Sequence, residues 1–171
     1  MIYGFFGGTF DPIHKGHLLL AKWALQFVDR VLFCPASISP FKMGNPPPTE
    51  GEHRLNMIKL AMGNESHFLL TDCELKRPPP SYTIDTIRFL METGHQHFRL
   101  ILSEDEVSTL SQWKESELLL KLAPPLIGPR TGERSRVLRK KLKNGEDCSS
   151  ELDEKVLDYI LEHQLYSAHY E

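Results

Sequence analysis

The first 35 residues alternate apolar runs with a helical pattern, and this alternation constrains the fold more than any other feature. Residues 2–6 are a short apolar run closed by Gly7 and Gly8, which predicts a buried strand ending in a tight turn. A loop follows at residues 9–16, apolar residues then recur at helical spacing over 17–28, and residues 30–35 predict a second strand that proline stops. Such a β-α-β unit requires a right-handed crossover and normally a parallel sheet.

The rest of the chain repeats the alternation. Residues 55–62 and 83–93 have helical spacing on either side of a strand candidate at 67–71, and residues 97–102 predict a fourth strand. We expect residues 107–122 to be helical in two pieces around Trp113, Leu126 and Ile127 to form a short fifth strand, and residues 134–142 and 151–164 to be helices. The sequence thus predicts an α/β fold with a Rossmann-like, doubly wound parallel sheet of about five strands. It is expected to form a single domain over residues 1–171, with 133–171 as a helical C-terminal subregion.

Composition excludes several classes of protein. Hydrophobic residues make up 40% and charged residues 25%, which is typical of a folded, water-soluble domain. The net charge of −3 removes the overall attraction that a nucleic-acid-coating protein would use, and no apolar run approaches the roughly 18 residues of a membrane span. Cys34, Cys73 and Cys148 form no CxxC pair, which argues against a disulfide framework and a zinc cage. We expect a cytoplasmic protein with neither nucleic acid nor membrane as partner.

The richest candidate site is the glycine–histidine segment (residues 7–17), which follows the first predicted strand. Ligands of open α/β sheets bind beyond the carboxyl ends of the strands, and a glycine pair before a helix N-terminus favours an anion such as phosphate. Neither the dinucleotide fingerprint nor the P-loop pattern is present. Instead, His14 and His17 lie three residues apart, so both imidazoles can face one pocket and stabilise charge on phosphate oxygens. The alternative is that His14 caps a turn and His17 packs against the sheet.

Two segments resemble a known family. Residues 7–17, GGTFDPIHKGH, resemble the signature of the HxGH nucleotidyltransferases in the form typical of bacterial nicotinate-nucleotide adenylyltransferases. The segment ELKR at 74–77, followed by PSYTIDT at 80–86, resembles a second stretch of that family. Arg54 with Met57 and the closing pair Leu165-Tyr166 match it too, so the similarity runs over nearly the whole chain.

The resemblance implies adenylyl transfer from ATP to nicotinate mononucleotide, which yields deamido-NAD and pyrophosphate in NAD biosynthesis, with Mg²⁺ accompanying ATP. No residue is assigned as a metal ligand. The implied catalytic residues are His14, His17 and Arg139. The residues implied to bind ATP or its phosphates are Gly7, Gly8, Thr9, Phe10, Lys42, Asp105 and Ser135. The residues implied to bind the mononucleotide are Ser81, Tyr82, Thr83 and Trp113. Ser81 or Thr83 is also a candidate N-cap of the following helix.

The C-terminal region departs from the family pattern. Where the family usually carries ISSTxIR, residues 133–139 read ERSRVLR, so that Ser135 and Arg139 match. The stretch that commonly separates the Pro129-Arg130 element from this motif is nearly absent, and we expect the region to be shortened and a last strand to be missing. The basic run at 134–143 is consistent with a solvated helix face, and more weakly with nucleic-acid binding.

Two other functions stay open at this stage. One is a different HxGH nucleotidyltransferase, acting on phosphopantetheine or glycerol phosphate, although Tyr82, Thr83 and Trp113 suit an aromatic nucleotide better. The other is a nucleotide-binding homologue with impaired catalysis, which the altered segment at 133–139 suggests. The residues do not decide between the acid and the amide form of the mononucleotide, and they leave a homo-oligomer open.

Overall fold

A computed structural model describes residues 1–167, in which five parallel strands form one sheet. The strands are β1 (Tyr3–Gly8), β2 (Arg30–Pro35), β3 (Phe68–Leu70), β4 (Phe98–Ser103) and β5 (Pro125–Gly128). Their order across the sheet is β3-β2-β1-β4-β5, so the direction of winding reverses between β1 and β4. The predicted α/β class and doubly wound parallel sheet are confirmed. In such a sheet the crevice for a ligand opens at the carboxyl ends of the two strands where the winding reverses.

Helices and short 3₁₀ segments connect the strands. The helices are α1 (Lys15–Ala24), α2 (Gly51–Met62), α3 (Thr83–Glu92), α4 (Ser116–Leu122), α5 (Ser135–Lys143) and α6 (Glu154–Glu162). The 3₁₀ segments are Pro40–Lys42 and Glu104–Gln112. Residues 107–122 were expected to be two helical pieces around Trp113, and the structure has a 3₁₀ segment before Trp113 and α4 after it.

The glycine pair lies inside a strand, which corrects the predicted turn. Gly7 and Gly8 are the last two residues of β1 and pair with Cys34 and Pro35 of β2. A β carbon on Gly7 would lie 2.9 Å from the Phe5 ring, so the absence of a side chain is a packing requirement here. The prediction failed because glycine is equally compatible with a turn and with a close approach inside a strand.

The sheet separates two apolar layers, because successive strand residues point to opposite faces. Phe6 and Phe33 pack with residues of α1, α2, α5 and α6, whereas Phe5 and Leu32 pack with residues of α3 and α4. Both C-terminal helices therefore pack on the same core layer as α1, which brings α5 beside the glycine–histidine segment. Within residues 1–167, no helix is both long enough and apolar enough to cross a bilayer.

Candidate active site

A cavity of about 930 Å³ opens at the carboxyl ends of β1 and β4. It lies where the strand order reverses, as expected for a doubly wound sheet. All fourteen residues that the sequence singled out line it, namely Gly7, Gly8, Thr9, Phe10, His14, His17, Lys42, Ser81, Tyr82, Thr83, Asp105, Trp113, Ser135 and Arg139. The fold brings them together from five segments of the chain, and their individual roles stay predictions.

The two histidines close the N-terminus of α1 and line the cavity at the same time. His14 is the N-cap, and its Nδ1 accepts a hydrogen bond from the Gly16 amide at 3.1 Å. His17 Nδ1 accepts from the His14 amide, also at 3.1 Å. The rings stack with centroids 3.7 Å apart. The capping alternative for His14 is thus correct, but it does not compete with a place in the cavity, because capping uses only one nitrogen of each ring.

These hydrogen bonds decide which ring nitrogen carries the proton. A nitrogen that accepts from an amide holds no proton, so in the neutral form each Nε2 carries the hydrogen. Burial lowers the pKa of His14 to about 4, although Glu151 opposes this shift. Burial, the neighbouring His14 and Arg130 lower the pKa of His17 well below its usual value. At neutral pH, the site therefore offers two neutral Nε2–H donors rather than two cations.

Arg54 of α2 holds the backbone around the glycine–histidine segment. Its Nη1 donates to the Thr9 carbonyl at 3.0 Å and to the Ala36 carbonyl at 2.6 Å, while Nε donates to Thr49 at 3.0 Å. Only 2% of Arg54 is exposed. In the sequence this arginine stands out only through the family match and has no assigned place in the site, because a lone arginine on an amphipathic helix gives no sign of what it will bind.

Asp11 is a buried carboxylate that sequence analysis missed. It lies beside the cavity at 1% exposure, and its Oδ1 accepts a hydrogen bond from the Tyr166 hydroxyl. Its main-chain carbonyl accepts from Arg139 Nη1 at 2.8 Å, and the next carbonyl, of Pro12, accepts from Ser135 Oγ at 2.9 Å. Both residues expected to serve ATP from α5 are thus anchored on the glycine–histidine segment.

Lys42 connects the proline-rich loop (residues 39–51) to the same segment. Its Nζ donates to Thr9 Oγ1 at 3.1 Å. Burial and the positive charges of Arg139 and Arg54 lower the pKa of Lys42, and the Asp11 carboxylate opposes this effect. The loop thereby places a cation over the glycine–histidine segment, where an anionic ligand would lie.

The opposite side of the cavity is formed by the start of α3. Neither Ser81 nor Thr83 caps this helix as expected: its N-cap is Tyr82, which makes no side-chain capping bond, and Thr83 is the first helical residue. Ser81 Oγ instead accepts from the Ser37 amide at 3.1 Å. The first amide groups of α3 therefore have no side-chain cap, and such amides bind anionic groups of a ligand.

Trp113 and Asp105 lie on the segment that follows β4. Trp113 is partly buried, and its Nε1 donates to Thr109 Oγ1 at 3.1 Å, which orients the indole in the cavity wall. Asp105 Oδ2 lies 2.7 Å from Arg130 Nε and 3.3 Å from Arg134 Nη2. Two guanidinium groups thus already neutralise this carboxylate.

Glu74 is another acidic residue of the cavity wall. It belongs to the ELKR segment that matches the family, but the sequence assigned it no role. It is 3% exposed, and its Oε1 accepts from Thr86 Oγ1 at 2.8 Å. Arg77 Nη2 donates to the same threonine oxygen at 2.8 Å. Burial raises the pKa of Glu74 to about 7. The hydrogen bonds among these three side chains tie the segment before α3 to the helix itself.

Comparison with known proteins places this geometry in context. The sequence profile described as cytidylyltransferase-like matches residues 5–152. A probable nicotinate-nucleotide adenylyltransferase of Roseiflexus sp. is 34% identical, with 95% of this chain and 96% of that protein covered. One from Thermus thermophilus is 36% identical, with 97% of this chain and 100% of that protein covered.

A solved structure supports the same fold. The Plasmodium falciparum nicotinic acid mononucleotide adenylyltransferase complexed with NaAD superposes with a TM-score of 0.76 at 22% identity. The superposition covers 96% of this chain and 97% of that one.

Proposed function

Since the chain belongs to the cytidylyltransferase-like family and, within it, to the nicotinate-nucleotide adenylyltransferases, we propose that it transfers the adenylyl group of ATP to nicotinate mononucleotide. The products are deamido-NAD and pyrophosphate, and the reaction belongs to NAD biosynthesis. The observation that carries the proposal is that the paired histidines at α1 and the aromatic side chains of Tyr82 and Trp113 line the same cavity.

The chemistry needs no nucleophile from the protein. An oxygen of the mononucleotide phosphate attacks the α-phosphorus of ATP, a new P–O bond forms, and the bond between the α-phosphorus and the bridging oxygen of pyrophosphate breaks. The attacking oxygen is already anionic, so the protein must align the two phosphates and stabilise the charge that grows on the leaving group.

We assign that stabilisation to the glycine–histidine segment. The Nε2–H groups of His14 and His17 donate to phosphate oxygens of ATP, and the backbone of Gly7, Gly8, Thr9 and Phe10 lines the triphosphate. Because the imidazoles are neutral and their tautomers are held by backbone amides, they act as fixed dipoles. Lys42, Ser135 and Arg139 supply further contacts to the phosphates, and Asp105 contributes to the ATP side of the cavity.

We assign nicotinate mononucleotide, which accepts the adenylyl group, to the cavity wall at the start of α3. Ser81, Tyr82 and Thr83 present hydroxyl groups and the free amides of α3, which suit an anionic mononucleotide. The indole of Trp113 offers a flat apolar face to the pyridine ring.

Mg²⁺ enters this scheme as part of the ATP substrate. Among residues 1–167 no group of three or more histidine, cysteine, aspartate or glutamate side chains is arranged to hold a metal ion. Mg²⁺ commonly binds through substrate phosphates and keeps several waters, so it can arrive on the triphosphate and lower its negative charge.

We also propose that the protein works in the cytoplasm. Cys34, Cys73 and Cys148 are all free thiols, two of them buried, which suits a reducing compartment.

A pyrophosphate-release assay tests the function. ATP with Mg²⁺ is offered together with nicotinate mononucleotide, nicotinamide mononucleotide or phosphopantetheine in parallel reactions. We expect the highest kcat/KM with nicotinate mononucleotide. Turnover with phosphopantetheine alone would assign the chain to a different acceptor, and ATP binding without turnover of any acceptor would show a nucleotide-binding protein that has lost catalysis.

A further inference from the structure

The segment after α6 brings a tyrosine into the centre of the site. The Tyr166 hydroxyl donates a hydrogen bond to Asp11 Oδ1 across 155 residues of chain. The Thr49 side chain hydrogen-bonds the same phenol oxygen from the proline-rich loop. One hydroxyl thus joins three segments that come together only in the folded protein.

The backbone at both ends of this contact has an unusual conformation. Phe10, directly before Asp11, has φ of 52°, and Tyr166 has φ of 60°. Gln164, two residues earlier, has φ of 53°. Side chains of this size rarely adopt the left-handed region, and they keep it only where surrounding contacts hold the backbone there. The contact between Asp11 and Tyr166 is therefore constrained from both sides.

Asp11 is the anionic group among three cations, of which Lys42 and Arg139 line the cavity. Its carboxylate attracts Lys42 and Arg54 electrostatically, and its carbonyl oxygen accepts from Arg139 Nη1. Its second carboxylate oxygen, Oδ2, is buried and has no hydrogen-bond partner within the described chain. A buried carboxylate with one directing bond would turn towards the nearest cation if that bond were lost.

We propose that Tyr166 is a positioning residue for adenylyl transfer: it orients the Asp11 carboxylate, so that Lys42 and Arg139 meet the phosphates of ATP instead of pairing with this carboxylate. The inference rests on the proposed function, because it assigns these two cations to the triphosphate. Tyr166 itself acts through Asp11 and needs no contact with either substrate.

The test is Tyr166→Phe, which removes the hydroxyl and keeps the ring. A hydrogen bond to a charged group is worth about tenfold in an equilibrium or rate constant, so we expect kcat/KM for ATP to fall by roughly tenfold. Most of this loss should lie in KM for ATP, with KM for the mononucleotide within about twofold of the wild-type value, because the contacts of Asp11 lie on the ATP side. Calorimetric titration with MgATP should show the same loss of affinity.

The matched control is Tyr159→Phe. This phenol also joins the C-terminal region to the body of the protein, since it lies 2.7 Å from His53 Nδ1 and 3.2 Å from Asn56 Nδ2. It is not part of the cavity wall, so its loss should lower Tm without changing KM for ATP. If Tyr166→Phe likewise lowers Tm and leaves kcat and both KM values unchanged, the tyrosine is merely structural and the proposal is wrong.

A double-mutant cycle with Asp11→Asn tests the route of the effect. If Tyr166 acts through Asp11, adding Tyr166→Phe to Asp11→Asn should change kcat/KM by less than about twofold. Fully additive losses would overturn the proposal. If Tyr166→Phe folds poorly, Thr49→Val serves instead, because it removes the threonine hydroxyl that hydrogen-bonds the Tyr166 phenol oxygen. Unchanged ATP binding in Thr49→Val would also count against the proposal. ATP binding needs no acceptor, so a wild-type protein that binds MgATP but ignores nicotinate mononucleotide refutes the proposed function separately.

Discussion

Gly16→Ala is a small substitution from which we expect a large effect. Gly16 is the second residue of α1, between the two histidines, and an added β carbon would lie 2.1 Å from the Thr131 carbonyl oxygen. The same carbon would lie 2.9 Å from both Cε1 and Nδ1 of His14. Its neighbours are thus a backbone carbonyl on one side and the capping imidazole on the other, and neither is the flexible end of a long side chain.

The size of the effect follows from these distances. To reach ordinary contact, α1 and the segment around Thr131 must separate by roughly 1 Å, which overpacking data place at about 1–3 kcal/mol. Such a loss corresponds to a fall in Tm of roughly 2–12 °C for a chain of this size. The His14 ring must also leave its bond to the Gly16 amide. Because a displacement of about 1 Å at a reacting centre costs about 100-fold in rate, kcat/KM should fall by about two orders of magnitude.

The measurement pairs the pyrophosphate assay with a thermal melt, and Gly44→Ala serves as the control. Gly44 lies on the proline-rich loop, and a β carbon there meets nothing within 4 Å. It should leave both Tm and kcat/KM close to the wild-type values. If Gly16→Ala matched the wild type in both measurements, the close packing of α1 against the Thr131 carbonyl, and our reason for the glycine, would be wrong.

Three further predictions concern the titratable groups of the site. The variant His17→Asn keeps a hydrogen-bond acceptor at the position of Nδ1, which closes the helix N-terminus, but it lacks the Nε2–H donor. Turnover should therefore fall about 100-fold with little change in Tm. Near wild-type turnover would show that the ring is structural. In an NMR titration of the ligand-free protein, His14 should titrate near pH 4 and His17 well below 6.5, and a midpoint of either near 6.5 would contradict the neutral pair. Because the unfolded chain takes up these protons near pH 6.5, stability should decline as the pH falls from there towards 4. Glu74 contributes with the opposite sign: its pKa is raised from 4.5 to about 7, so it keeps its proton longer in the folded state, and its own contribution to stability should decline as the pH rises through that range. Relative to the wild type, Glu74→Gln should therefore gain roughly 3 kcal/mol in the free energy of unfolding between pH 4.5 and 8, and a constant difference in denaturant melts would refute this.

The order of elements was predictable because each depends on residues that are close in the chain. The second strand was predicted at residues 30–35, and the structure has β2 at those residues. Helix ends were less predictable. The first helix was expected from residue 17 and begins at Lys15, because the cap is supplied by a histidine, which is not among the usual capping residues. Neither candidate cap of α3 was correct, since Ser81 bonds to Ser37 from another part of the chain.

In the candidate site, too, residues within local sequence patterns were predictable and residues defined by distant contacts were not. Its fourteen predicted residues stand in recognisable local patterns, and all of them reach the cavity. Asp11 was part of the quoted string, but its burial and its bond to Tyr166 could not be read from it. Arg54 and Glu74 also lay in matching segments without an assigned role, because what they hold is backbone and side chain from other elements.

By itself, the sequence determined the alternation of strands and helices, the parallel sheet, and the pairing of histidines with glycines that points to phosphate chemistry. These properties depend on spacing along the chain, and spacing is visible in a string of letters. Only the tertiary structure decided that the histidines are neutral donors, that Asp11 accepts a hydrogen bond from Tyr166, and that Gly16 has no room for a methyl group. Each of these depends on desolvation or on contacts between residues far apart in sequence, and so exists only once the chain has folded.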